Sequence, residues 1–178
     1  PGYQPRPVPI ETAREIVRLS EVHLEALLKL ALAADSRATG LSGLLVSAAA
    51  GLIAGGFSLL FGKEQVTVLG IVLGAAALGA AIFFIAALWQ AIAAARPKPF
   101  GIAGSDYDSW DTEEDKYGDL SDALMGQARN YQNKINKNRE RLSEGAARIS
   151  LALRLVAIAP IAAIAVGLTA YAVWMATQ

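Results

Sequence analysis

Three stretches without a single charged side chain, residues 41–61, 66–95 and 155–174, constrain this chain more than any other feature. Each is about 20 residues or longer, and at about 1.5 Å per residue a helix of that length crosses a hydrocarbon core about 30 Å thick. A helix satisfies its own backbone groups, so such segments can sit in lipid where irregular chain cannot. Buried helices of a soluble bundle would carry charge on their outward faces. The sequence therefore predicts an all-α integral membrane protein with three transmembrane helices.

Composition narrows the function classes. The chain has 178 residues with 54% hydrophobic content, and the polar remainder is too short for a large separate catalytic domain. Lys+Arg and Asp+Glu stand at 16 each, so net charge points to no nucleic-acid partner. There is no cysteine and only one histidine, His23, which excludes thiolate chemistry, disulfides and a histidine-rich metal site within one chain. Residues 1–9 form a proline-rich arm without the apolar centre of a secretory signal. No P-loop or dinucleotide glycine pattern occurs, and no set of residues has the spacing of a catalytic or cofactor site. A non-enzymatic role without a cofactor is the expectation.

Basic residues set the expected orientation. Lys63 is the single Lys or Arg between the first two apolar stretches, and the other 15 lie before Leu41 or between Arg96 and Arg154. That bias places the amino-terminal arm and the 96–154 connector in the cytoplasm and the short tail after the third span outside. Trp89 suits the inner interface, and Tyr171 and Trp174 the outer one.

The connecting segments read as helices. Residues 10–40 form a cytoplasmic helix, with Thr12 and Glu15 at capping-box spacing and Pro9 able to open it slightly earlier. Ile10, Ala13, Val17, Leu24, Leu27, Ala31, Ala34 and Ala38 form a packing seam, with Ser20 as its polar exception. A second stripe of Ile16, Leu19, Ala26, Leu30 and Ala33 predicts cover on more than one side. Gly40 and Gly43 permit a bend before the hairpin of spans at 41–95. Pro97 and Pro99 end the second span and open a linker at 96–119, whose acidic part at 104–119 contains a possible short helix capped by Asp111 and Glu114. A second cytoplasmic helix at 120–150 carries Leu124, Ala128, Tyr131, Ile135, Leu142 and Ile149 at heptad spacing, with Asn138 and Gly145 in the same seam. It runs directly into the third transmembrane helix and short external tail at 151–178. Both cytoplasmic helices are thus expected to be continuous with a span, and a polar Asn138 in the seam points to a fixed register and a specific homo-oligomer.

Within the spans, Gly43, Ser47, Gly51 and Gly55 recur every four residues, and Gly70, Gly74, Ala75 and Gly79 form a similar surface in the second span. Small residues let helix backbones approach closely, so these are candidate packing ridges. Pro160 removes a backbone donor inside the third span and predicts a kink near Val156. No ionisable group lies at membrane depth, which leaves proton relays and charge-lined channels without their usual residues. The candidate ligand site is a basic run on the second cytoplasmic helix. Arg129, Lys134, Lys137 and Arg141 are its proposed binding residues, with Arg139, Arg148 and several asparagines around them. Guanidinium and ammonium groups receive phosphate, and near a cytoplasmic leaflet they also attract anionic lipid.

A family resemblance joins these elements. A cytoplasmic helix ends in Ala34-Asp35-Ser36-Arg37-Ala38 just before the first span; a tight hairpin, Arg96-Pro97-Lys98-Pro99 and a basic helix entering a third span follow. This resembles the membrane effectors of bacterial Pycsar antiphage systems and related small effectors of nucleotide-signalling operons. The resemblance implies a bacterial inner-membrane location and activation by a cyclic pyrimidine nucleotide made on infection. It also implies an oligomer whose spans rearrange to impair the membrane. The alternative is a non-catalytic scaffolding or accessory subunit that uses the same helices to hold a partner.

Overall fold

The structure is a computed structural model that describes residues 8–62, 67–104 and 119–177. The described residues form three helices and no strand: α1 (Ile10–Phe61), α2 (Val68–Ala95) and α3 (Leu120–Ala176). Each contains a stretch long and apolar enough to cross a membrane. α2 alone, at 28 residues, is about 42 Å long, enough to span the core with a turn or more to spare. The expected acidic segment, with its Asp111 and Glu114 cap, lies outside the described residues apart from its ends.

α1 begins at Ile10 because Pro9 lacks nothing that a helix entry needs. Its carbonyl accepts the Ala13 N–H at 3.0 Å, closing the first turn. The capping box expected at Thr12 is therefore already inside the helix, and the Glu15 side chain is taken by Arg18 at 2.6 and 2.8 Å. α1 continues unbroken past Gly40 and Gly43, and α3 continues through Pro160.

The chain divides into two compact units, each drawing on more than one helix. The first comprises the described residues within Pro1–Ala33 and Pro97–Ser143. Its core is Leu24 and Leu27 of α1 against Tyr131 and Ile135 of α3, with Val17, Leu142, Phe100 and Ala103 packed around them. The two heptad seams do meet: Ala13, Leu24, Leu27 and Ala31 are buried, as are Leu124, Ala128, Tyr131, Ile135 and Asn138. Of the second stripe of α1, Leu19 and Leu30 are more than half exposed, as is Val22 beside them, Ala26 and Ala33 are exposed and Ile16 is half-buried, so the expected second cover is missing among the described residues.

The second unit comprises the described residues within Ala34–Arg96 and Glu144–Gln178. Here α2 runs antiparallel to both other helices. Leu45 of α1, Ala87 and Ala91 of α2 and Ala152 of α3 form one cluster. Farther along, Gly56 lies against Gly74 and Leu78, and Gly79 against Val166. Contact is backbone-close: a Cβ built on Gly74 would lie 2.7 Å from Leu60 Cγ and 3.0 Å from the Gly56 carbonyl oxygen. Thr67 opens α2 by accepting the Gly70 N–H at 3.1 Å on its hydroxyl, so the helix starts two residues later than the apolar stretch.

Candidate functional site

The first unit contains a site that no local pattern announces. After α2 ends, residues 97–104 form a strap, and α3 fastens it with three side chains of one face. Asn138, fully buried, grips Gly101 at both ends of one residue: the Gly101 N–H donates to Oδ1 at 3.0 Å, and Nδ2 donates to the Gly101 carbonyl at 2.8 Å. One turn earlier, Lys134 Nζ donates to the carbonyls of Ile102 at 3.2 Å and Gly104 at 3.5 Å. A further turn back, the Tyr131 hydroxyl accepts the Gly104 N–H at 3.1 Å and donates to Glu21 Oε1 of α1 at 3.0 Å. Tyr131, Lys134 and Asn138 follow three- and four-residue steps and so share one helix face.

Glycine is needed at two points of this strap. A Cβ on Gly101 would sit 2.9 Å from Lys134 Cβ, so only glycine lets the backbone close onto α3 there. Gly104 has φ +101°, a conformation that L side chains rarely adopt. The Lys134 ammonium also lies 5.4 Å from the centre of the Tyr131 ring, where the ring face attracts a cation. The hydrogen bonds leave no buried side-chain polar atom without a partner among the described residues.

The proposed ligand residues separate into two groups. Lys134, Lys137 and Arg141 fall on one face of α3 at three- and four-residue steps, whereas Arg129 lies five residues before Lys134, about 140° around the helix. Arg129 and Lys137 are exposed, and Lys134 and Arg141 are half-buried. Lys134 already gives its charge to strap carbonyls, so a phosphate arriving there meets an occupied donor. Arg139 points elsewhere, placing a guanidinium nitrogen 3.2 Å from His23 Nε2. Arginine only donates, so Nε2 of His23 is the acceptor in this contact.

The packing residues divide in the same way. Gly70 and Gly74 meet α1, through the Leu59 carbonyl, Leu60 and Gly56. Gly43, Gly51 and Gly55 are exposed, with nothing within 4 Å of an added Cβ, and Ser47 is exposed beside them. α1 uses Gly56 for the hairpin and leaves the expected ridge open. Between α2 and α3, Ile71, Ala165, Val166, Thr169, Val173 and Trp174 line an open apolar groove of about 630 Å³. The Thr169 hydroxyl there is spent on the Ala165 carbonyl at 2.8 Å.

Comparison with protein-family models, with curated proteins and with solved structures gives no match for this chain.

Proposed function

We propose that this chain is an oligomeric effector of a bacterial inner membrane, with its first unit cytoplasmic. In this reading a phosphate-bearing ligand, a cyclic pyrimidine nucleotide if the family resemblance holds, acts on the first unit, and the spans respond by impairing the membrane. The membrane placement is supported by the outward surface of the apolar helices: only 17%, 28% and 11% of residues in their most apolar windows are buried within the chain. Water does not tolerate so much exposed apolar surface on a monomer, whereas lipid does.

The strap is the observation that carries the sensing half. Its hold on α3 runs through a cation, Lys134, that also belongs to the basic face with Lys137 and Arg141. A phosphate bound by that face competes with the Ile102 and Gly104 carbonyls for the same ammonium. Charge-assisted bonds to phosphate are stronger than bonds to neutral carbonyls, so the ligand favours an arrangement with the strap loosened. Such a ligand shifts the population only by its difference in affinity for the two arrangements.

The test separates the two roles of the basic face. Lys137→Ala combined with Arg141→Ala removes phosphate donors that make no strap contact. Expressed with a pyrimidine cyclase, the unaltered protein should depolarise the inner membrane, and the double variant should need at least about tenfold more nucleotide. An unaltered membrane potential at saturating cyclic CMP and cyclic UMP removes the effector reading. Cysteines placed at Gln4 and Gln178 should label from opposite sides of intact cells if three spans separate the ends.

A scaffolding role is the second reading, and the uncovered Leu19, Val22 and Leu30 stripe of α1 favours it. It expects a stable partner after gentle purification and no depolarisation with or without cyclase.

A further inference from the structure

Four arginines mark one end of the second unit. Arg37 lies one turn before Leu41 on α1, Arg96 follows the last residue of α2, and Arg148 and Arg154 flank Ile149 and Ala152 on α3. Leu41, Ala91, Ile149 and Ala152 share one packed cluster, so all three helices bring a guanidinium to the same end of the unit. All four arginines are exposed, and among the described residues none pairs with a carboxylate. Two carboxylates of this unit, Asp35 and Glu144, stand near them, and Glu144 already holds a partner. The end therefore keeps net positive charge. Among the described residues the opposite end of the unit carries no charged side chain.

The spacing fits a leaflet boundary. From Arg154 to Trp174 along α3 is 20 residues, about 30 Å, the thickness of the hydrocarbon core. Arg148 lies about 9 Å farther out, at headgroup depth. The Arg96 guanidinium lies 5.7 Å from the centre of the exposed Trp89 ring, an amphipathic aromatic at the level where such rings settle in a bilayer. Guanidinium presents a planar fork of donors that matches phosphate oxygens, and it sheds water more readily than ammonium. We propose that Arg37, Arg96, Arg148 and Arg154 form a collar that binds the phosphates of anionic phospholipids. The collar presupposes the membrane-spanning reading, but not the effector role or the nucleotide.

The full chain should be reconstituted in nanodiscs of phosphatidylcholine with one fifth phosphatidylglycerol, then stripped to its tightly held lipid by mild detergent. Lipid mass spectrometry should show phosphatidylglycerol enriched roughly threefold to tenfold over the bulk ratio. The variant R37Q/R96Q/R148Q/R154Q should return to the bulk ratio while keeping its helical circular dichroism. R14Q/K29Q, two exposed cations of the first unit, should leave the enrichment unchanged. Inorganic phosphate at 20 mM should not displace the lipid; displacement with equal efficiency would identify a site for free phosphate and overturn the lipid assignment. Failure of the unaltered chain to enter nanodiscs removes the membrane reading itself. Entry without enrichment overturns the collar alone, whether or not the quadruple variant folds.

Discussion

The two units solve the same problem, pairing α1 with its neighbours, by opposite means. The first unit uses large side chains and long-range polar contacts: Leu24, Tyr131 and Asn138 are its most deeply buried large residues. The second closes mostly on small residues: Gly56 on Gly74, Gly79 on Val166, and fully buried Ala87, Ala91 and Ala152 beside Leu45. In water, burying apolar surface drives association, so bulky residues are favoured. In lipid that drive is absent, and helices gain by bringing backbones close enough for dispersion along their length. One chain thus carries two kinds of packing, one suited to water and one suited to lipid.

The sharpest way to break that contrast is to put bulk where the second unit has none. Gly74→Leu sets a branched side chain against the Gly56 carbonyl and Leu60 and should destabilise the hairpin by about 3 kcal/mol or more, read as loss of folded protein in detergent denaturation. If it folds as well as the unaltered chain, close α1–α2 contact is not what holds this unit. Asn138→Ala should cost the first unit about 1–3 kcal/mol, since it strands the N–H and carbonyl of Gly101. Protease cleavage within the 97–104 strap should rise with it, while the apolar helices stay protected.

Gly51→Leu tests whether the small-residue rule extends to contacts between copies. Its Cβ meets open space within the chain, so folded stability should stay within about 0.5 kcal/mol while the oligomer mass in mild detergent falls. An unchanged oligomer would assign that face to lipid. The smallest effect belongs to Glu15. Its hydrogen bond and ion pair with Arg18 hold the carboxyl below its ordinary range, so the interaction is present above the unfolded-state value and is lost as pH falls through the folded one. Both groups face water, and Glu15→Gln should leave thermal unfolding at neutral pH unchanged.

The sequence made the helices legible because charge is absent from residues 41–61, 66–95 and 155–174 and because two heptad seams run beside them. The strap was illegible for a physical reason. Asn138 and Gly101 are 37 residues apart, and a polar residue in a seam looks the same whether it meets another helix or a strap backbone. Asn138 therefore fixes a loop within the chain, a task that its seam position alone assigned to register. Lys134 was equally ambiguous, since a lysine that binds a carbonyl and one that awaits a phosphate share the same spacing. The four-residue period picks out Gly43, Ser47, Gly51 and Gly55 but not Gly56, one position off that row, which lies against Gly74 and Leu78 of α2.

The split composition of the first unit also sets an order of biosynthesis. Leu27 and Tyr131 share one core cluster, yet about 100 residues of chain separate them, including the whole of the first two apolar stretches. At about 5–20 residues per second, the ribosome delivers the α3 half of this unit roughly 5–20 s after the α1 half. During that interval Leu24 and Leu27 lack Tyr131 and Ile135, while the apolar hairpin is already leaving the ribosome. The apolar hairpin therefore leaves the ribosome before the first unit can close, and a chaperone or a neighbouring nascent copy has several seconds in which to occupy the bare seam.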